Sequence, residues 1–540
     1  MWAAGGSRST AVIAMGSDSS EKTKDLSPFH AQQLVEKARW AAGSFASYSR
    51  GEVLAIAEAT AKAAAAESRK YAEWAVEETG FGVAEHKEVK NRLCSIGLFE
   101  HYRNENYTDY RIDEEKKIVE IPRPAGVIFA LTPSTNPVSS VFYKTILALL
   151  TRNAIVISPH PMAKKCCSDA ARLMAGAAEK AGAPDGVIQV IDEPALPIID
   201  QIMKSDRIDL ILATGGSPMV RAAYSSGNPA LGVGPGNVPA YVDETADIAK
   251  AAKRIADSKA FDNSILCTNE STVIAHAAVG ERLLAELKRQ GCHLVSPEER
   301  DILSAHLFPM GKFNIPLIGK SAEHIAQSAG IRVPRGTRVL LAPLERIGDD
   351  YLLSREKLCP VLGYYEVASR EAGFTAARAM VRRQGQGHSA AIHAEDPSVV
   401  LRYGAELNVL RIAVNVGNST GAAGFDTFLA PSMTVGTGFF GRSSVSENVG
   451  PQHLVQWVKI AYNKSDQVKF GNFGGLELPR PATRPRPPVG DIDYSFSWAG
   501  GTSANAQAQP AGEGGGNDDL RNQIRALIME ELQALQQERR

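Results

Sequence analysis

Between residues 126 and 415, short apolar runs of four to six residues alternate with longer amphipathic stretches, and this alternation constrains the fold more than any other feature. Residues 126–131, 154–158, 187–191 and 210–213 read as strands, and 138–150, 163–181, 197–203 and 218–225 as helices. An apolar run without polar alternation is buried on both faces, so the pattern predicts a parallel sheet covered by helices. Ligands in such folds bind beyond the carboxyl ends of the strands. A second series follows, with strands at 271–276, 339–342, 363–367, 390–393 and 411–415 and helices at 279–290 and 369–382. It predicts a second α/β domain. Upstream, 28–102 is helical, with apolar residues at three- and four-residue steps in 31–45 and 51–67.

At 540 residues the chain exceeds what one core can organise. A net charge of −1 gives no reason to expect nucleic acid or an anionic membrane as partner, and no apolar run approaches the ~20 residues that cross a bilayer. Six cysteines are scattered without paired spacing, and no histidine cluster has metal-ligand spacing, so neither a disulfide framework nor a metal site is expected. A reducing cytosol is the simplest compartment.

Cys267 ends the stretch Phe261-Asp-Asn-Ser-Ile-Leu-Cys267, at a junction between a helix-like segment (248–259) and the strand 271–276. A thiol there can face a cleft, with nearby N–H groups lowering its pKa for nucleophilic attack. The alternative is a small buried hydrophobe. Three loops lie beside predicted strands. Thr132-Pro-Ser-Thr-Asn-Pro137 offers the Asn136 amide to an oxyanion. Ala213-Thr-Gly-Gly-Ser217 opens a helix with glycines that admit an anionic ligand. Gly232-Val-Gly-Pro-Gly-Asn237 leads into a strand rather than a helix, which argues against ordinary dinucleotide use and for a tight loop near a reacting centre. His388 is a candidate for proton transfer or a structural histidine.

Together, Ile211-Leu-Ala-Thr-Gly-Gly216, Ala222-Ala-Tyr-Ser-Ser226, Gly232-Val-Gly-Pro-Gly-Asn237, Phe261-Asp-Asn-Ser-Ile-Leu-Cys267 and Ser444-Val-Ser-Glu-Asn-Val-Gly-Pro451 resemble the coenzyme A-acylating branch of the aldehyde dehydrogenase superfamily. The likeness runs from about 28 to 475. It is nearest to the aldehyde dehydrogenase half of bifunctional alcohol/aldehyde dehydrogenases and to the propionaldehyde and acetaldehyde dehydrogenases of bacterial microcompartments. The resemblance implies an aldehyde dehydrogenase-like α/β fold: two α/β domains with parallel sheets, a small bridging or oligomerisation element, and homodimers or homotetramers. It implies Cys267 as nucleophile and Asn136, with the Cys267 N–H, as oxyanion hole. Glu356 matches the glutamate that binds the nicotinamide ribose of NAD. Ser158, His160 and Pro161 fall at its adenosine end, Thr214, Gly215, Gly216 and Ser217 near its pyrophosphate, and Thr132, Thr135 and Gly234 elsewhere around it. A lysine of hydrolytic relatives is missing near Ser158 and His160. Their water-activating glutamate is replaced by Gly232, so the acyl-enzyme is expected to wait for the thiol of coenzyme A. The implied substrate is propionaldehyde or acetaldehyde. Sulfoacetaldehyde, a hydrolytic enzyme releasing free acid, and an inactive shell scaffold are the competing readings.

The expected organisation is a disordered leader (1–26), a NAD/CoA-binding domain (27–243), a catalytic domain (244–428), a return or oligomerisation segment (429–476), a Pro/Arg- then Gly/Ala-rich linker (477–517) and an amphipathic helix (518–540). In that helix Leu520, Ile524, Leu527, Ile528, Leu532 and Leu535 share one face. It either docks on its own enzyme body or seeks a partner. The family resemblance implies an encapsulation peptide that binds microcompartment shell or cargo proteins, and hence a place in the lumen of a bacterial microcompartment.

Overall fold

The computed structural model describes residues 27–348, 350–479 and 483–484, so the leader, the tail helix 518–540 and nearly all of the linker lie outside the described residues. Among the described residues helices come first: α1 (Ser27–Phe45), α2 (Arg50–Ala66), α3 (Ser68–Thr79), α4 (Ala84–Arg92) and, after a π-helical turn, α5 (Leu98–Tyr102). A capping box between Ser49 and Glu52 starts α2. Gly80, at a positive φ of 71°, stops α3.

Strands β1 (Arg111–Asp113) and β2 (Ile118–Pro124) precede the first parallel sheet. That sheet contains β3 (Val127–Leu131), β4 (Ala154–Ser158), β5 (Ile188–Val190), β6 (Leu210–Ala213) and β7 (Ala230–Gly232), in the order β5-β4-β3-β6-β7. Every residue of β3, β4 and β6 is buried, which is why the sequence shows unbroken apolar runs there. Chain direction through the sheet reverses between β3 and β6, leaving a crevice at their carboxyl ends. The helix Pro137–Leu150 leaves β3 at that crevice and is buried along its whole length. Within it the Lys144 ammonium donates to the carbonyls of Leu131 and Leu212 at 2.6 and 2.9 Å, joining the two strand ends.

The second parallel sheet holds β8 (Val238–Val242), β9 (Glu270–His276), β10 (Cys292–Leu294), β11 (Val339–Pro343), β12 (Val361–Val367), β13 (Ala390–His393) and β14 (Ile412–Val414). Their order is β10-β11-β12-β9-β8-β13-β14. Alternate residues serve opposite faces: Ala240, Val242, Val273 and Ala275 enter one core, while Tyr241, Ile274 and Ile392 meet Phe374 and Tyr403 in the other. β8 lies before position 244, where the catalytic segment is expected to open, yet it pairs with β9 and β13 of that segment's sheet.

Strand β15 (Val455–Ala461) runs antiparallel to β2 over seven residue pairs, completing a three-stranded sheet β1-β2-β15. None of its strands is signalled in the sequence, because the sheet borders no deep core: Val458 and Ile460 remain 46% and 40% exposed.

The segment between β14 and β15 is tied down by Arg411. Its buried guanidinium donates to Asn448 Oδ1 (2.7 Å) and to the carbonyls of His388 (2.9 Å), Gly436 (2.6 Å) and Ser446 (2.6 Å). Removing it strands several buried acceptors at once. Arg411→Met is expected to destabilise the fold by about 3 kcal/mol, read from denaturant unfolding; a change within experimental error would refute this role.

Candidate active site

The crevice between the two parallel sheets forms a cavity of about 760 Å³. Thr132 to Asn136 reach it from the carboxyl end of β3, Ser158 to Pro161 from β4, and Thr214 to Ser217 from β6. Val233, Gly234 and Pro235 follow β7, and Ile265 to Thr268 precede β9. Glu356 and Gln384 close one side, and Ala423, Ser432, Met433 and Val435 another. All the predicted site residues meet there except His388. That residue is fully buried off the cavity, its Nδ1 3.0 Å from Ser389 Oγ, and burial with nearby Arg411 pushes it down to about 3. The lowered pKa favours its neutral form, and Asn418 Nδ2 links its neighbour Ser389 to the Thr268 carbonyl beside Cys267.

Cys267 is half-buried between a kinked turn and β9. The turn holds three consecutive residues at positive φ, Asp262 (49°), Asn263 (51°) and Ser264 (61°), a conformation that side-chain-bearing residues adopt only when held. The lowered thiol pKa expected from nearby dipoles is not found. Burial, then the Glu356 carboxyl, push the Cys267 thiol up to about 12, against its own N–H and Arg411. Both causes favour the neutral thiol.

Glu356 is the only carboxylate among the described residues lining the cavity. Its oxygens accept from the Gly236 N–H at 3.2 Å and from Gln384 Nε2 at 3.1 Å, and burial pushes it up to about 8. Gly236 lies where no other residue fits: a β-carbon there would fall 2.0 Å from the Cys267 carbonyl oxygen. The Gly232–Asn237 loop thus does bring backbone against the reacting centre. Gly232 itself lies outside the cavity lining. Its N–H and carbonyl both bond the Tyr224 hydroxyl, and a β-carbon would strike Val220 at 2.7 Å and Tyr224 at 3.0 Å. A glutamate therefore cannot simply be grafted at this position.

Asn136 caps the helix Pro137–Leu150. Its Oδ1 is bonded by Lys90 Nζ, which leaves Nδ2, 3.3 Å from Thr135 Oγ1, as the donor end. Thr132 Oγ1 and Ser158 Oγ are buried in the cavity wall without partners. Unpaired buried hydroxyls are costly, and these fit the ribose hydroxyls of a nucleotide. Gly216 caps the helix Ser217–Tyr224, whose N–H groups suit a pyrophosphate. The residues present fit a nicotinamide dinucleotide. No group of three potential metal ligands occurs among the described residues, and no helix there is long and apolar enough to cross a membrane. Lys87, Lys90 and Gln384 are absent from the expected site. The two lysines sit in a helix that reads as solvated.

A family model described as Aldehyde dehydrogenase family matches residues 8–301. The succinate-semialdehyde dehydrogenase (acetylating) of Clostridium kluyveri is 36% identical over 440 residues, covering 81% of this chain and 97% of that protein. The chain also matches the aldehyde-alcohol dehydrogenase of Clostridium acetobutylicum at 36% identity and spans about half its length (50%). Among solved structures, an acetylating aldehyde dehydrogenase from Geobacillus thermoglucosidasius superposes with a TM-score of 0.80 at 38% identity, covering 82% of this chain and 98% of that one. A propionaldehyde dehydrogenase from the Clostridium phytofermentans fucose utilisation bacterial microcompartment superposes at 0.73 and 28% identity, covering 81% and 98%.

Two measurements check this geometry. Iodoacetamide alkylation of Cys267 in the ligand-free protein is expected to be slow at pH 7 and to rise without a plateau to pH 10; saturation by pH 8 would contradict the neutral thiol. Gly236→Ala is expected to cost about 2 kcal/mol of stability by overpacking, and a fully stable variant would contradict the close approach to Cys267.

Proposed function

The chain belongs to the aldehyde dehydrogenase family, and on that footing we propose that it converts a short-chain aldehyde, with NAD and coenzyme A, into the acyl-coenzyme A and NADH through a thioester on Cys267. Propionaldehyde or acetaldehyde is the proposed substrate. The observation that carries the reading is a half-buried thiol in a cavity whose one carboxylate is hydrogen-bonded on both oxygens.

Cys267 Sγ adds to the carbonyl carbon, and its proton leaves to solvent. The new alkoxide accepts from Asn136 Nδ2 and the Cys267 N–H, which stabilise charge that exists only as the bond forms. Thr132, Ser158, the Gly216–Ser217 helix start and Glu356 would hold the dinucleotide. The nicotinamide, when bound, supplies the hydride acceptor that turns the adduct into a thioester. Among the described residues lining the cavity the one carboxyl, Glu356, is engaged on both oxygens, so the acyl group stays on Sγ until the coenzyme A thiol displaces it. Cys267 leaves as thiol once reprotonated. A cavity of about 760 Å³ favours sequential use by dinucleotide and coenzyme A, hence ping-pong kinetics.

We assign the finer features from the sequence: a homodimer or homotetramer, and docking of 518–540 on microcompartment shell or cargo proteins. The microcompartment relative is in keeping with this. Truncation before Asp518 should leave kinetics unchanged and release the enzyme from particles; lost activity would point to a helix docked on its own body.

The central test compares products with and without coenzyme A. Wild-type enzyme is expected to yield acyl-coenzyme A in step with NADH and little free acid. Cys267→Ala is expected to bind NAD and lose at least about 10³-fold in turnover. Equal acid release without coenzyme A, or an active Cys267→Ala, would overturn the reading.

A further inference from the structure

A buried ion cluster outside the residues assigned above joins the two halves of the site. The Asp262 carboxylate, in the turn leading to Cys267, is fully buried. It accepts from the Val83 N–H at 2.6 Å, from Lys87 Nζ at 3.1 Å and from Lys90 Nζ. Lys87 Nζ also donates to the Thr135 carbonyl at 3.1 Å, and Lys90 Nζ to Asn136 Oδ1. Both lysines leave α4 three residues apart, on one face. Adjacent His86 accepts the Asp262 N–H at Nδ1 (2.8 Å), and burial holds its ring towards the neutral form. Two ammonium groups thus share one carboxylate, leaving a surplus positive charge among these groups.

A structural pin for the Asp262 turn needs only one lysine, and burying a second ammonium is costly. The second one ends on Asn136. A carboxamide can present either its oxygen or its NH₂ to a cavity, and an ammonium, having donors only, accepts just one of those orientations. We infer that Lys90 is a positioning residue for the proposed reaction: its ammonium fixes the Asn136 carboxamide with the N–H end towards the cavity and polarises it for the developing oxyanion. This rests on the reading of Asn136 as oxyanion donor, and the test separates the two.

Lys90→Met is expected to lower kcat by about 10²-fold, with KM for aldehyde, NAD dissociation constant and Cys267 alkylation rate within about threefold of wild type. Asn136→Ala should show a similar or larger loss, and the double variant no more than Asn136→Ala alone. Losses that multiply in the double variant would overturn the role of Lys90, as would an unchanged kcat in Lys90→Met. Full activity in Asn136→Ala would instead overturn the oxyanion assignment beneath it.

If Lys90→Met fails to fold, Lys90→Arg carries the test through the pH profile. Burial pushes Lys90 down to about 8 against the pull of Asp262, and Lys87, Cys94 and His86 are the other titratable groups facing it. A depressed lysine pKa means the ammonium is lost as pH rises through that value, so its help to turnover fades there. Arginine stays charged. The alkaline limb of kcat is expected to move up in Lys90→Arg, while titration of Glu356 is common to both proteins. An unmoved limb in an active Lys90→Arg would overturn the inference.

Discussion

The site depends on one buried carboxylate. Asp262 lies in a left-handed turn that residues with side chains do not hold unaided, five positions before the nucleophile. Although burial opposes its charge, Lys90 and Lys87 hold the carboxyl below its usual range, so it stays ionised and bonded to α4. Breaking such a buried cluster from one side leaves an uncompensated charge, at a cost of about 3–5 kcal/mol. The same lysines reach Thr135 and Asn136. Cys267 and Asn136, 131 positions apart by their numbers, are therefore tied through a single helix.

The electrostatics around Cys267 favour a protonated thiol in the ligand-free cavity. The thiol and the Glu356 carboxyl are pushed up to about 12 and about 8, each mainly by burial. Both are largely protonated at neutral pH, so neither charge is left exposed in an apolar cavity. Burial and the Glu356 carboxyl hold the thiol protonated, and on the proposed reading the engagement of that same carboxyl on both oxygens deprives water of a base once a thioester forms.

Legibility from sequence followed burial. Strands β3, β4 and β6 are apolar on both faces, and their bounds were readable nearly to the residue because no polar alternation blurred them. The sheet β1-β2-β15 is invisible in the sequence because its strands are half exposed, β1 is three residues long, and β2 and β15 pair over a long sequence separation. Among site residues, the glycine loops and Cys267 stood out through local motif. Lys87 and Lys90 did not, since an i, i+3 lysine pair in a polar helix is the pattern of a solvated face, and only the tertiary approach of Asp262 buries it. The same holds for the thiol pKa: local N–H groups, which lower it, are readable in sequence, whereas desolvation, which raises it, belongs to the assembled cavity. Gly232 was read as a lost base, and it is also a packing requirement under Tyr224.

The most direct measurement is intact-protein and peptide mass spectrometry of enzyme mixed with propionaldehyde and NAD, with coenzyme A withheld. The account predicts a stable acyl adduct on the peptide containing Cys267, discharged when coenzyme A is added. NADH formed without any adduct on that cysteine, or an adduct lost to water as fast as to coenzyme A, would contradict it.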